Sequence, residues 1–279
     1  MHHRRGGTRR AIAPSDQTLA VWRVDLLYWA GLAATTFGAA LLYAVSGFGF
    51  AILAAPLFLL FVDPARAIQL VIIVSTALSL VVLPGLRRAI APGLLLRLAL
   101  GNLAGLPLGL IAFSYADPVM VRAAVGATIL VFAALIAVSR RHRGRHWAPL
   151  AMSPGRDVAA GAISGIATAL VGMAGPPVLI YLLVTGAPPR IVRATLLSFF
   201  ALSYGATLAA HAVTIGIPGE TWLAAGALIP FAFLGGFAGR PLGDRLGAEA
   251  FAILAMVLLA GAGLYTVATA GAALAVRQQ

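Results

Sequence analysis

The side chains that could carry acid–base chemistry are few in this sequence. Its eight acidic residues lie in tails, loops or the ends of apolar runs: Asp16, Asp25, Asp63, Asp117, Asp157, Glu220, Asp244 and Glu249. No pair of carboxylates falls inside an apolar run, which disfavours a carboxylate proton relay and a pathway for polyvalent cations. The sequence also lacks cysteine and the HExxH, GxSxG and P-loop patterns. We therefore expect no enzyme active site, no metal site and no cofactor.

Two glycine-rich stretches could instead bind an anion through backbone groups. The stretches "SGFGF" (46–50) and "GMAGPP" (172–177) interrupt apolar runs that are too long for one straight spanning helix. Glycine costs about 1 kcal/mol in a helix interior and proline about 3 kcal/mol, so both runs are predicted to break there. A break exposes N–H groups, and the positive end of a helix dipole favours negative charge. We predict an anion site where the two broken helices meet.

Neutral polar side chains and arginines on nearby spans are candidates to complete that site. The alternative role of the hydroxyl and amide groups, with Asn102 and Ser203 among them, is hydrogen bonding between helices, at about 0.6 kcal/mol each. The alternative role of the arginines is anchoring at the interface. His211 is interpreted as a hydrogen-bonded residue near a helix end. The predicted substrate-binding residues are Gly47, Phe48, Gly49, Gly172, Gly175, Pro176, Gln69, Ser75, Thr76, Ser198 and Arg193, the last at the outer end of its span.

The composition places these residues in a membrane. Of the 279 residues 61% are hydrophobic and 10% are charged, and the mean hydropathy is +0.97. Soluble domains carry about 25% charged residues. Apolar runs of about 18 residues or more recur along the chain, so we predict an all-α, polytopic helical membrane protein with about eight spans. The net charge of +12 comes from arginines between the apolar runs, which indicates topology signalling rather than nucleic-acid binding.

The chain also carries an internal repeat. The segments "GNLAGLPLG" (101–109) and "GGFAGRPLG" (235–243) share five of nine positions. We predict two four-span repeats, each opening with a broken or re-entrant helix, and an even number of crossings makes such repeats parallel. Chance similarity of glycine-rich helices is the alternative. The predicted segments are a basic cytoplasmic tail (1–25), a first repeat (26–138), a basic cytoplasmic loop (139–157), a second repeat (158–272) and a C-terminal tail (273–279).

The arginine distribution sets the predicted orientation. If each long run makes one net crossing, 14 of the 20 arginines fall on the side that holds the N-terminal tail, the central loop and the C-terminus. The positive-inside rule assigns that side to the cytoplasm. Five crossings per half would place the central loop opposite the tail, an arrangement that the arginines disfavour. We predict a multi-pass protein of the cell inner membrane.

These segments resemble the sulfite exporter TauE/SafE family, also called the 4-toluenesulfonate uptake permeases. The resemblance covers about residues 26–270 and rests on "GFGFAILAAP", "GMAGPPVLIYLL", "RATLLSFF" and the paired G-x-x-x-G-x-P-L-G segments. It implies about eight spans in two repeats and transport of sulfite, sulfonates, sulfoacetate or related anions. The expected partners are a small anionic substrate and the lipid bilayer, and a homo-oligomer is left open. A non-transporting assembly or maturation factor is the alternative function.

Overall fold

The computed structural model describes residues 16–46, 49–82, 91–141, 152–186, 188–246 and 261. Within these ranges the regular structure consists of nine helices, and no strand occurs. The helices are α1 (Asp16–Ser46), α2 (Phe50–Phe58), α3 (Pro64–Val82), α4 (Pro92–Tyr115), α5 (Pro118–Arg141), α6 (Pro154–Val171), α7 (Gly175–Val184), α8 (Pro189–Thr214) and α9 (Gly219–Leu246). Gly47, Phe48 and most of the last predicted apolar run (248–270) lie outside the described residues.

Five of the described helices contain a segment long and apolar enough to cross a membrane. These segments are Leu26–Val45, Pro64–Val81, Pro92–Tyr115, Ile191–Thr214 and Gly219–Gly239. The protein is therefore a polytopic helical membrane protein, as predicted. The total of about eight spans stays a prediction, because it includes residues beyond the described ranges. Two boundaries differ from the predicted segments: α1 begins inside the predicted tail, and α6 begins inside the predicted central loop.

Proline begins five of the helices, namely α3, α4, α5, α6 and α8. The first position of a helix suits proline because no intrahelical acceptor is available for an N–H there, and because the fixed φ of the ring is already helical. At α6 the Ser153 hydroxyl adds a cap by accepting a hydrogen bond from the Arg156 N–H at 3.4 Å. The Pro and Gly punctuation of the sequence therefore marks where helices begin.

Each long apolar run folds as a pair of antiparallel helices. After the break at Ser46, α2 runs back along α1, so that the Phe61 ring lies against Gly31. In the second half α7 runs back along α6, and the Tyr181 hydroxyl donates to the Asp157 carboxylate near the start of α6. We call α1–α2 the first hairpin and α6–α7 the second hairpin. The predicted breaks are present, but each run turns back instead of making one net crossing.

Glycines bring the backbones of α4 and α6 into contact. A Cβ atom on Gly105 would lie 2.0 Å from the Ala162 carbonyl oxygen, and one on Gly109 would lie 2.6 Å from the Ile166 carbonyl oxygen and 2.8 Å from the Ala169 Cβ. Such an approach is available only without a side chain. Because the contacts advance along both helices together, α4 and α6 are parallel.

The pair α9 and α1 repeats this packing. A Cβ atom on Gly239 would lie 2.6 Å from the Leu41 carbonyl oxygen and 2.8 Å from the Ala44 Cβ, the same two contacts that Gly109 makes. The packing counterpart of Gly239 is therefore Gly109, whereas the repeated Pro-Leu-Gly predicts Gly105. The predicted pairing of Gly239 with Gly105 is therefore wrong by one helical turn. The residue that matches Gly239 in packing lies four positions after the residue that matches it in sequence.

The central helices α3 and α8 are antiparallel. The Gln69 side chain, near the start of α3, donates to the Gly216 carbonyl oxygen just beyond the end of α8 at 2.9 Å. Arg66 and Glu220 lie 3.9 Å apart, which places the starts of α3 and α9 together. Helix α4 runs parallel to α8, because Asn102 bonds Ser203 at 2.8 Å and, further along both helices, the Phe113 and His211 rings are 4.9 Å apart.

These directions make the second half an inverted copy of the first. Successive helices alternate in direction, and each hairpin contributes two of them, so the first half holds the odd number α1–α5. Helix α6 therefore starts in the direction opposite to α1, and an axis in the membrane plane relates the halves. The prediction of parallel repeats is wrong, because it counted each hairpin as one crossing.

The two ends of the bundle can now be named. The Arg97 end holds the starts of α4, α6 and α8, and the Gln69 end holds the starts of α1, α3 and α9. Helix α1 begins at Asp16 at the Gln69 end, whereas α6 begins at Pro154 at the Arg97 end, where Arg193 also lies. The starts of α1 and α6 are therefore at opposite ends of the bundle.

Candidate functional site

The tips of the two hairpins meet between α3 and α8. A small, partly open pocket lies there and is lined by residues of both tips and of both central helices. The α3 and α8 residues that line it, with Ser75 and Phe200 among them, lie near the middle of helices that begin at Pro64 and Pro189. The pocket is therefore at middle depth in the part of the protein that spans the membrane.

The first tip presents backbone donors to this pocket. Gly49 caps α2 with φ 113°, a left-handed conformation that favours glycine. The first intrahelical hydrogen bond of α2 runs from the Leu53 N–H to the Gly49 carbonyl oxygen at 3.1 Å. The N–H groups before it have no acceptor within the helix and lie at the positive end of the helix dipole. They belong to three pocket-lining residues, Phe50, Ala51 and Ile52.

The second tip presents fewer donors. Gly175 is the one residue of α7 that lines the pocket. Pro176 and Pro177 follow it in the first turn and have no N–H. The Ala174 N–H is directed at the Tyr204 hydroxyl at 3.4 Å, and the Ala174 carbonyl accepts a hydrogen bond from Ser164. The second tip therefore contributes its helix dipole and little direct hydrogen bonding.

Hydroxyl groups line the rest of the polar wall. The Tyr43 hydroxyl and the Ser75 Oγ are both buried, at residues that are 6% and 3% exposed, and neither makes a hydrogen bond of good geometry with the described part of the chain. Ser79 lies beside the Tyr43 hydroxyl and Tyr204 lies beside Ser75. Buried polar atoms are nearly always hydrogen-bonded in proteins, so two such atoms facing one pocket indicate a place for a ligand or water.

Charged side chains are absent from this wall. Among the described residues no arginine, histidine or acidic residue lines the pocket. Arg193, on the first turns of α8, is exposed. An anion in the pocket would therefore meet backbone dipoles and hydroxyl groups, which can coordinate its oxygens without forming an ion pair.

The predicted site residues fall into two groups around this pocket. Gly49, Ser75 and Gly175 line it, whereas Gly47 and Phe48 lie outside the described residues. Gly172 ends α6 with φ 72°, and its nearest neighbours belong to α3, so it shapes the second tip without lining the pocket.

The remaining predicted residues have other positions. Pro176 is buried in the first turn of α7, and Gln69 bonds the end of α8. The Thr76 hydroxyl bonds its own helix, at the Ile72 carbonyl oxygen. Ser198 is buried with an unpaired hydroxyl, outside the pocket lining, and Arg193 is exposed.

Sequence reasoning missed eight lining residues, three of which carry hydroxyl groups. An offset of 125 residues relates Pro64 to Pro189, the first residues of α3 and α8. The same offset pairs the predicted Ser75 with Phe200 and the predicted Gly175 with Phe50, so it could have identified two of the missed residues. The missed residues are Tyr43, Phe50, Ala51, Ile52, Leu78, Ser79, Phe200 and Tyr204.

Comparison with known proteins assigns the chain to a family. The family model described as "Sulfite exporter TauE/SafE" matches residues 32–266. The chain belongs to the TauE/SafE family. The matched range includes α1 from Leu32 onward, α2 to α9 and all of the described residues that line the pocket. No curated protein and no solved structure matched the chain.

Membership of the TauE/SafE family makes the protein a multi-pass membrane transporter.

Other buried polar residues near the pocket form hydrogen bonds between helices. Asn102 bonds Ser203, and Ser203 lies 3.1 Å from the Thr168 hydroxyl. His211 lies 3.1 Å from the Ala169 carbonyl oxygen through Nε2. These side chains join α4, α6 and α8, as the packing interpretation of Asn102, Ser203 and His211 predicted.

Proposed function

We propose that this TauE/SafE protein is a secondary transporter of a small, sulfur-containing anion, of the sulfite, sulfonate or sulfoacetate class, and that it binds the anion between the hairpin tips. The observation that supports this proposal most directly is the set of three N–H donors at the start of α2 beside the unpaired hydroxyls of Tyr43 and Ser75. A sulfur oxyanion offers up to three oxygens as acceptors for such converging donors.

The inverted repeat supports a way of moving the anion. Transporters with inverted repeats bind substrate near the middle of the bilayer, at broken helices, and expose the site alternately by movement of one part against the other. Here each hairpin packs on a helix of the other half, α1 on α9 and α6 on α4, and the anion is held where the halves meet. The sequence has no nucleotide-binding motif, so ion gradients, the membrane potential or the substrate gradient supply the energy.

We place the protein in the cell inner membrane with the Arg97 end in the cytoplasm. The α3–α4 connection carries Arg87 and Arg88, and α5 ends at the same end with Arg140 and Arg141, ahead of Arg143 and Arg145 in the sequence. The positive-inside rule assigns such short arginine-rich connections to the cytoplasm. Cysteines placed singly at Ser153 and at Asp16 would test the assignment: in intact cells, an impermeant thiol reagent should label the second and spare the first.

Uptake into proteoliposomes tests the function. We expect uptake of radiolabelled sulfite above that of protein-free liposomes, with competition by small sulfonates. Tyr43→Phe and Ser75→Ala should each weaken binding about tenfold or more, because a hydrogen bond to a charged group contributes about 1.5–3 kcal/mol. Ser114→Ala, which removes an exposed hydroxyl bonded to the Ile111 carbonyl, is the control and should transport normally.

Two outcomes would contradict the proposal at different levels. If no sulfur oxyanion is transported by well-folded protein, the non-transporting assembly or maturation factor becomes the better account. If uptake is normal in the Tyr43→Phe/Ser75→Ala double variant, the protein transports anions but binds them elsewhere. In that case Arg193 and Ser198 would be the next residues to test.

A further inference from the structure

We propose that the pocket between the hairpin tips selects anions with one negative charge over dianions. This inference rests on the proposed function and narrows its substrate class. It concerns the charge that the pocket can balance, as distinct from the number of oxygens that it can coordinate.

The positive charge available in the pocket comes from two helix ends. Helices α2 and α7 have nine and ten residues, and both begin at the pocket. The N-terminus of a helix acts as about half a positive elementary charge, so the two together provide about one. Such helix ends alone do not define a site, but the buried, unpaired Tyr43 hydroxyl and Ser75 Oγ face the same space. Two independent features therefore point to one ligand.

No side chain in the described lining adds a full positive charge to that of the two helix ends. The described lining consists of backbone groups, hydroxyls and apolar side chains such as Leu78 and Phe200. Hydroxyls coordinate an oxygen but contribute no net charge. A monoanion would be matched by the two helix ends, whereas a dianion would bring about one further negative charge into apolar surroundings without a counter-charge. Removing an uncompensated charge from water is strongly unfavourable, so the dianion should bind more weakly.

Among the described residues, Arg193 is the cation that could also contribute to the charge preference of the pocket. It lies on the first turns of α8, and its side chain is exposed and does not line the pocket. Charges exposed to water are screened more strongly than buried ones. We therefore assign the charge preference to the helix ends, with Arg193 as a variant that tests the assignment.

Ligand pairs of similar size and different charge provide the test. Purified full-length protein would be titrated at constant pH and ionic strength with methanesulfonate and sulfate, and with isethionate and sulfoacetate, following a binding-induced thermal shift. In each pair the first ligand is a monoanion and the second a dianion. We expect the monoanion to bind at least about tenfold more tightly in both pairs. Equal or tighter binding of the dianions would overturn the inference and leave anion transport intact.

Two variants locate the origin of the preference. Arg193→Gln should keep it, and loss of the preference in this variant would overturn the assignment to the helix ends. Ser79→Lys places a cation in the lining and should shift the balance toward sulfate, with size-exclusion chromatography to confirm folding. If this variant does not fold, the ligand pairs still test the preference for monoanions, and Arg193→Gln still tests its assignment to the helix ends. Absence of binding by every anion would refute both this inference and the proposed function.

Discussion

The two hairpins share a backbone design and differ in how they are held and in what their tips present. The first is packed through apolar contacts, as where the Phe61 ring covers Gly31, and its tip has three N–H donors without an acceptor in the helix. The second is tied near its base by Asp157, which accepts from the Arg97 Nε at 2.6 Å and from the Tyr181 hydroxyl. Prolines remove two N–H groups from its tip. The first tip therefore offers more N–H donors, and the second hairpin has the stronger polar anchor.

The largest effect is expected from breaking the anchor of the second hairpin. Arg97→Ala would leave the fully buried Asp157 carboxylate without its cation. Loss of one partner of a buried ion pair costs about 3–5 kcal/mol, and the partial exposure of Arg97 favours the lower part of that range. Thermal unfolding in detergent should show a large loss of stability.

Glu220→Ala is the matched control for that variant. It removes the 3.9 Å contact with Arg66, in which the Glu220 side chain is 85% exposed, and should change stability by less than about 1 kcal/mol. Equal losses in the two variants would mean that Asp157 does not anchor the second hairpin.

Making the first tip resemble the second should reduce anion affinity. The 125-residue offset pairs Ala51 with Pro176, so Ala51→Pro places proline where the second hairpin already accepts it. The change removes one N–H donor from the pocket. We expect about ten- to a hundredfold weaker binding, from the loss of about 1.5–3 kcal/mol. Unchanged affinity in a folded variant would show that the first tip does not bind through its N–H groups.

The reverse substitution sharpens the comparison. Pro176→Ala restores an N–H at the second tip but leaves Pro177 in place. If this tip mainly contributes its dipole, affinity should change by less than about threefold, which corresponds to about 0.7 kcal/mol. A large gain or loss would give the second tip a direct part in binding.

The glycine contacts of the two hairpins should respond in matched pairs. Gly109→Ala and Gly239→Ala should cost similar stability, about 1–3 kcal/mol, because both force a methyl group against the same kind of backbone contact. Gly236→Ala is the control, since a Cβ there would meet nothing within 4 Å. Thermal unfolding of the three variants tests the register: unequal losses at Gly109 and Gly239 would contradict the equivalence deduced from packing.

A further prediction concerns the turn of the second tip. Gly172→Ala should cost about 1–2 kcal/mol because φ is 72° there, and it should leave affinity nearly unchanged. Gly216→Ala is the control: Gly216 has a similar backbone conformation, with φ 83°, and lies just beyond the end of α8, away from the second tip. Similar losses of stability in both, with normal binding, would confirm a turn role for Gly172. A binding defect specific to Gly172→Ala would place it in the site.

Much of the fold was predictable, and the errors have a common cause. Glycine and proline identified both helix breaks, because their effects on the backbone are local. Whether α2 continues outward or turns back depends on contacts such as that of Phe61 with Gly31, which are distant in sequence. The crossing number, the symmetry axis and the side of the N-terminal segment all follow from that single choice.

The site was predictable to a similar degree. Gly49 and Gly175 were identified because a helix start is visible in sequence. Tyr43 and Ser79 were not identified, because a hydroxyl group in an apolar helix can form a hydrogen bond to a neighbouring helix as readily as it can bind a ligand. Asp157 was expected at a span end and lies in the first turn of α6, but the sequence did not show that it is fully buried there. Burial depends on which helices pack around a residue, and here Arg97 and Tyr181 come from two different helices.

The sequence by itself determined that this protein is helical, lies in a membrane, is interrupted at two glycine-rich points and belongs with the TauE/SafE transporters. Those properties depend on composition and local backbone preference, which each segment carries alone. Only the tertiary structure decided that the halves are inverted, that the two tips meet and that Tyr43 and Ser75 face the same pocket. These properties arise from contacts between segments that are distant in the sequence, and the energies of those contacts depend on how close glycine lets two backbones come.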